Sequence, residues 1–124
     1  MLKKFYKGKK ILITGHTGFK GSWLTSCLLE LEAKIMGFSK NDEKIKSYKK
    51  ICYYNKVYNV YADINNFELL KKKAIEFNPD IIIHLAAQSL VSESYKDPYK
   101  TIETNVMGTL NIIEISKFLK RLKS

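Results

Sequence analysis

At 124 residues the chain is one domain or part of one, long enough to bury a real core; its two cysteines, Cys27 and Cys52, lie outside any C-x-x-C or His/Cys cluster, so free thiols are expected and no metal site. No apolar run approaches the ~18 residues that a membrane span needs and the N-terminus lacks a signal-peptide core, which predicts a cytoplasmic protein without a membrane partner. The net charge of +10 is scattered from Lys3 to Lys123 with Arg121 the sole arginine, and without arginine forks or spaced aromatic platforms it predicts a solvated surface that attracts anionic nucleotides rather than a nucleic-acid partner.

In chain order, Lys10 to Thr14 reads as a buried strand and Gly18 to Ala33 as the helix it feeds, with Leu24, Leu28 and Leu31 toward the sheet. Lys34 to Ser39 reads as a second strand, and Lys40 to Tyr54 as a polar connection of unassigned structure. Val57 to Tyr61 is a third strand running into Asp63-Ile64, after which Asn65 or Asn66 caps a helix to about Phe77. Asn78-Pro79-Asp80 stops that helix. Ile81 to Ala87 is an unbroken apolar run, as expected for a parallel strand covered on both faces. Finally, Asp97 as N-cap and Pro98 at the first turn open a long helix to about Leu119, with Ile102, Val106, Leu110 and Ile113 along one face. That face suits either the chain's own sheet or a second subunit. Strands separated by helices with short connections predict an α/β fold: a Rossmann-type doubly wound parallel sheet in strand order 3-2-1-4, truncated before later strands.

The junction of the first strand and helix carries the chemistry. Gly15, Gly18 and Gly21 recur at i, i+3 and i+6 in Ile13-Thr14-Gly15-His16-Thr17-Gly18-Phe19-Lys20-Gly21-Ser22-Trp23-Leu24. Gly15 turns the chain off the strand, Gly18 removes a side chain where backbone meets phosphate, and Gly21 lets helix and strand pack closely. The helix start then offers free N–H groups and a positive dipole end to a dinucleotide diphosphate. Other residues have plainer roles open to them. His16 reads as backbone-positioning or solvent-facing, His84 as a core histidine, Asp63 as a cap for the next helix, and Phe19 and Trp23 as packing. The acidic residue that holds an NAD ribose about 20 residues past the glycines is missing, because the second strand ends in Ser39-Lys40-Asn41-Asp42. Asp42 is near enough to replace it, Asn41 is a substitute, and Lys40 suits a 2′-phosphate.

Three segments, Gly15 to Leu24, His84-Leu85-Ala86-Ala87-Gln88-Ser89-Leu90-Val91 and Thr104-Asn105-Val106-Met107-Gly108-Thr109-Leu110-Asn111, resemble the extended short-chain dehydrogenase/reductases, and among them the CDP-glucose 4,6-dehydratases of nucleotide-sugar metabolism. The resemblance implies a lyase that holds NAD, with NADP left open, oxidises the hexose at C4, eliminates water across C5 and C6, and returns the hydride to C6. It also implies site residues. Gly15, Thr17, Gly18, Phe19 and Lys20 surround the diphosphate, with Gly21 and Ser39 completing that end of the site. Asp63 and Ile64 lie at the adenine, and Leu85, Ala86 and Ala87 at the nicotinamide-side ribose. Gln88 and Ser89 stand at the mouth toward the nucleotide-sugar substrate, Ser89 facing the sugar, and Thr104 reaches in from the long helix.

No catalytic residue is assigned. The family's Tyr-x-x-x-Lys pair follows the long helix, and the sole match here, Tyr6 to Lys10, precedes the glycine loop and is rejected. The chain therefore reads as residues 1–124 of an NAD(P)-binding domain, an N-terminal portion without the catalytic helix and substrate domain, inactive alone. A stand-alone NAD(P)-binding or subunit-pairing module is the alternative, with a homodimer through the 98–119 helix.

Overall fold

The computed structural model describes Met1 to Ser124. Its core is a four-stranded parallel sheet of β1 (Lys10–Thr14), β2 (Lys34–Ser39), β3 (Tyr58–Tyr61) and β4 (Ile81–His84) in the order β3-β2-β1-β4, as the sequence predicts. Each crossover carries helix: α2 (Phe19–Glu30) after β1, α3 (Lys44–Ile51) after β2 and α4 (Phe67–Phe77) after β3. A short α1 (Leu2–Tyr6) precedes the sheet; α5 (Val91–Lys96), α6 (Pro98–Ile102) and α7 (Gly108–Ser116) follow it. No helix is long and apolar enough to cross a membrane.

The period of two along the strands sorts the core into two layers. Ile11, Ile13 and Ile35 face α2 and α3 with Leu28, Tyr48 and Cys52. Leu12, Met36, Phe38 and Val60 face the other way, against Leu70 and Ala74 of α4 and Ile112 and Ile115 of α7. Register places Ile13 opposite Gly37 on one side and Ile83 on the other, so the carboxyl ends of β1, β2 and β4 lie together.

Several boundaries differ from the sequence reading. The helix read as Gly18 to Ala33 is α2, Phe19–Glu30, and Glu32 beyond it adopts φ 62°, closing the turn with an Ala33 N–H bond to the Leu28 carbonyl of 3.0 Å. Its buried face is Gly21, Ser22, Thr25 and Leu28; Leu24 and Leu31 sit half-buried at the margin and Cys27 is exposed. Small residues occupy this face because the helix start lies directly on the glycine turn. Asn66 caps α4, its side chain accepting from Leu69 N–H at 3.2 Å. The strand expected to reach Ala87 ends at His84, and its residues are half-buried because it is a sheet edge.

The long helix is not continuous. A π-helical stretch, Glu103–Met107, separates α6 from α7, and the regular helix stops at Ser116. Thr104, Gly108, Ile112, Ile115 and Leu119 turn inward. Ile102, Val106, Leu110 and Ile113, the face considered for packing on the chain's own sheet, turn outward and are 58%, 53%, 43% and 53% exposed. Both faces are apolar, so periodicity alone cannot rank them. The inner face carries Gly108, where a Cβ would stand 2.8 Å from Cγ2 of Ile64, so the absent side chain lets the helix pack closely on the turn that follows β3.

Candidate functional site

A cavity of about 250 Å3 opens at the carboxyl ends of the strands. Its floor is the β1–α2 turn. Gly15 has φ 71°, and a Cβ there would lie 2.6 Å from the Leu85 carbonyl carbon, so the turn rests on the backbone leaving β4. A Cβ on Gly21 would overlap the Gly15 carbonyl oxygen, which supports its assigned role in close helix packing. Gly18 is different: a Cβ would meet just one atom, the Gly15 oxygen, at 3.3 Å, so its missing side chain leaves open space facing the cavity. The N–H groups of Phe19, Lys20 and Gly21 have no protein acceptor, and the first helical bond nearby runs from Ser22 N–H to the Gly18 carbonyl at 2.8 Å. Free amides at a helix start, beside a glycine that leaves room, fit the diphosphate of a dinucleotide.

Two hydrogen-bonded struts hold the cavity walls. The first centres on His16, which is 0% exposed, so the solvent-facing alternative is wrong: the ring lies over Gly37, where a Cβ would overlap it. Asn59 donates its amide hydrogens to the carbonyls of Tyr54 and Val57, leaving its Oδ1 to accept from His16 Nε2 at 2.9 Å and from Tyr48 Oη at 2.9 Å. His16 Nδ1 must then accept, and Ser39 Oγ donates to it at 2.9 Å. Burial drives the imidazole pKa down to about 4, so the ring is neutral at physiological pH. Ser39 Oγ in turn receives Thr17 N–H at 3.4 Å.

The second strut centres on His84, half-buried as a core histidine. Thr109 Oγ1 donates to the Asn105 carbonyl at 2.6 Å, so it accepts from His84 Nε2 at 3.2 Å. Thr14 Oγ1 lies 2.6 Å from His84 Nδ1 and receives the amides of Leu85 and Ala86 at 3.2 and 3.3 Å. Asn105 grips Gln88 through both backbone groups, Oδ1 from its N–H at 2.8 Å and Nδ2 to its carbonyl at 3.0 Å. The Gln88 side chain is turned back on Leu90 and Thr101.

Of the residues singled out in the sequence, Gly15, Thr17, Gly18, Ser39 and Ile64 line the cavity, as do Leu85, Ala86, Ala87, Gln88, Ser89 and Thr104. Four do not. Gly21 lies beneath the loop, Phe19 and Lys20 carry exposed side chains above it, and Asp63 is engaged elsewhere. Asp63 Oδ1 accepts Asn65 N–H at 2.9 Å and Oδ2 pairs with Lys40 Nζ at 2.9 Å. Burial opposes its charge, but these bonds, with Lys100, hold its pKa below the usual carboxylate value. Asp63 thus ties its own turn and does not cap the next helix, whose N-cap is Asn66, while staying beside the cavity. Sequence reasoning missed Phe38, Lys44, Ala62, Leu90 and Lys100. Phe38 and Ala62 are neighbours of assigned residues at strand ends. Lys100 gave no local signal, because α6 alone brings it across the end of β3. Tyr6 and Lys10 lie outside the cavity, and Lys10 Nζ instead donates to the Phe77 carbonyl at 3.1 Å.

Comparison with known proteins agrees with this geometry. The family described as GDP-mannose 4,6 dehydratase matches residues 12–124. The chain is 41% identical to the CDP-glucose 4,6-dehydratase of Salmonella typhimurium over 123 residues, covering 98% of this chain and 34% of that protein. The solved structure of the epimerase Mth375 from Methanothermobacter thermautotrophicus superposes with a TM-score of 0.86 at 30% identity, over 95% of this chain and 34% of that one. The UDP-glucose 4-epimerase from Brucella ovis, solved in complex with NAD, shares the fold with a TM-score of 0.78 at 24% identity, over 92% and 34%. The chain spans about a third of the length of these relatives.

Proposed function

The chain belongs to the GDP-mannose 4,6-dehydratase family, and from that membership we propose that it is the cofactor-binding N-terminal part of a nucleotide-sugar 4,6-dehydratase acting on CDP-glucose, inactive without the remainder of the enzyme. The observation that carries the reading is the run of free amides at Phe19, Lys20 and Gly21, which follows directly on the open Gly18, itself lining a cavity framed by the ends of β1, β2 and β4. A nicotinamide dinucleotide bound there supplies the hydride acceptor and donor for internal redox at the hexose. The protein's part is positioning. The amides take the diphosphate, Ile64 and Ala62 cover the adenine against the turn that Asp63 holds, and Thr17 and Ser39 approach the adjoining ribose. Leu85 to Ala87, fixed by Thr14 and His84, flank the nicotinamide-side ribose. Thr104 closes the wall from the helix, and Ser89 and the Gln88 backbone, held by Asn105, stand toward the sugar.

Calorimetric titration with nicotinamide dinucleotides tests the reading. Saturable binding that is lost in Gly18→Val is expected, and absence of binding to the folded chain overturns it. Turnover of CDP-glucose by the chain alone overturns its inactivity. The outward apolar face of Ile102, Val106, Leu110 and Ile113 supports pairing with a second copy through this helix; a monomer by analytical ultracentrifugation refutes that part.

A further inference from the structure

The turn after β3 is held partly by its own bonds and partly from outside. Ile64, at its centre, is 4% exposed and lines the cavity. The peptide before Ile64 is fixed by Asn66 N–H, which donates to the Asp63 carbonyl at 2.9 Å, and the peptide after it by Asp63 Oδ1, which accepts Asn65 N–H at 2.9 Å. Both bonds lie within the turn. The Ile64 carbonyl, however, accepts from Asn111 Nδ2 on α7 at 3.1 Å, across 47 residues of sequence, and no other element gives the backbone of residues 63–66 a side-chain hydrogen bond.

Asn111 reaches the turn because Gly108 stands three residues before it on the same helix face, and a Cβ on Gly108 would lie 2.8 Å from Ile64 Cγ2. Thr104, on the π-helical stretch that leads into α7, also lines the cavity, so Asn111 ties the turn to a unit that carries another part of the wall. One donor is left over. The Ile64 N–H has no acceptor in the protein, although a buried peptide donor ordinarily has a partner. A dinucleotide whose diphosphate lies at the Phe19, Lys20 and Gly21 amides reaches this turn with its base, presenting the ring edge remote from the ribose. On adenine that edge carries N1, an acceptor; on hypoxanthine N1 bears a hydrogen and would oppose a donor.

We propose that Asn111 is a positioning residue for the cofactor's base: by tying the Ile64 carbonyl to α7 it sets the Ile64 N–H where N1 of adenine accepts it. The inference rests on the dinucleotide reading above, and the two fail differently. Calorimetry of the purified chain with NAD and with nicotinamide hypoxanthine dinucleotide is the test. NAD should bind on the order of tenfold more tightly, the ratio expected when one hydrogen bond is replaced by two opposed donors. Asn111→Ala should weaken NAD on the order of fivefold and the hypoxanthine analogue far less, so that the ratio falls toward one. Asn111→Asp, which keeps the shape of the side chain without a hydrogen to donate, should do the same. A loosened fold would instead weaken both dinucleotides alike, and circular dichroism verifies that each variant folds. Equal binding of the two dinucleotides by the unaltered chain, a preference for NAD that both variants retain in full, or equal weakening of the two, overturns the inference and leaves the cofactor reading standing. Failure of the unaltered chain to bind either dinucleotide overturns both.

Discussion

Replacing His16 by glutamine tests whether the first strut is built on a neutral histidine. The ring is fully buried, its Nε2 bound to an oxygen of Asn59 and its Nδ1 to Ser39. The titratable groups packed on it are the phenols of Tyr48 and Tyr61, both with pKa values raised, chiefly by burial, so no anion waits to receive an imidazolium. With a native pKa of about 4 against about 6.5 in the unfolded chain, the sign is fixed. Above pH 6.5 neither state is protonated and stability is intact. As pH falls below 6.5 the unfolded chain takes a proton that the native ring refuses, and stability drops by about 1.4 kcal/mol per pH unit until the native pKa is reached. Between pH 6.5 and 5 this comes to about 2 kcal/mol, and about 3 kcal/mol in all. Glutamine offers one donor and one acceptor in similar places but does not titrate. Urea unfolding at pH 7.5, 6 and 5, followed by far-ultraviolet circular dichroism, compares the two proteins; His84 and the carboxylates remain in both and cancel in the difference. At pH 7.5 His16→Gln should be the less stable through lost contact with Tyr48, and the gap should narrow by about 2 kcal/mol on going to pH 5. A gap constant with pH refutes the neutral strut.

Other substitutions probe separate joints. Gly37→Ala puts a Cβ into the His16 ring and should cost about 3 kcal/mol by overpacking; in His16→Ala, where the ring is gone, the same change should cost far less, and additive denaturation midpoints would contradict this packing. Asp80→Ala should cost about 3 kcal/mol, because the buried carboxylate accepts Lys10 N–H at 2.9 Å and Arg121 at 3.0 Å. Arg121→Ala, removing a half-exposed partner but leaving the Lys10 bond, should cost about 1 kcal/mol, so equal losses for the two would refute the ranking. Asn66→Ala should lower stability by about 1 kcal/mol through loss of the α4 cap, measurable as a shift in urea midpoint at unchanged slope.

The sheet was legible in the chain because its signals are local and repeated. Apolar runs at Ile11–Ile13 and Ile81–Ile83, each followed by turn chemistry and helix, leave few topologies once crossovers must be right-handed, and the strand order follows. The glycine turn was legible for the same reason: spacing and position relative to a strand define it. What the chain hid depended on partners distant in sequence. The sequence marks Asp80 as part of a helix stop, yet its charge is used by Lys10 and Arg121, 70 and 41 residues away. The inward face of the 98–119 segment was hidden because apolar residues lie on both sides and a π turn shifts the register between them. His16 leaves a trace in the sequence. Gly37 interrupts a strand otherwise made of larger residues, and a glycine within a strand marks a close approach by another group, here the imidazole itself.

That trace bears on how the cavity works. A histidine in a glycine loop invites assignment as an acid or base, but His16 is sealed from the cavity by Ser39 and spends both nitrogens on strut bonds. His84 does likewise between Thr14 and Thr109. Each joins elements distant in sequence through two neutral nitrogens, one donating and one accepting, a pairing that a lysine or carboxylate cannot offer without burying charge. The first ties the glycine loop to the end of β2 and to Asn59 on β3, and the second ties β1 and β4 to Thr109 at the start of α7. Amides at Phe19, Lys20 and Gly21 that make no bond within the protein cannot hold the loop themselves. In this fold the loop is held by the buried His16 together with Ser39, which leaves the Phe19, Lys20 and Gly21 N–H groups with no acceptor in the protein.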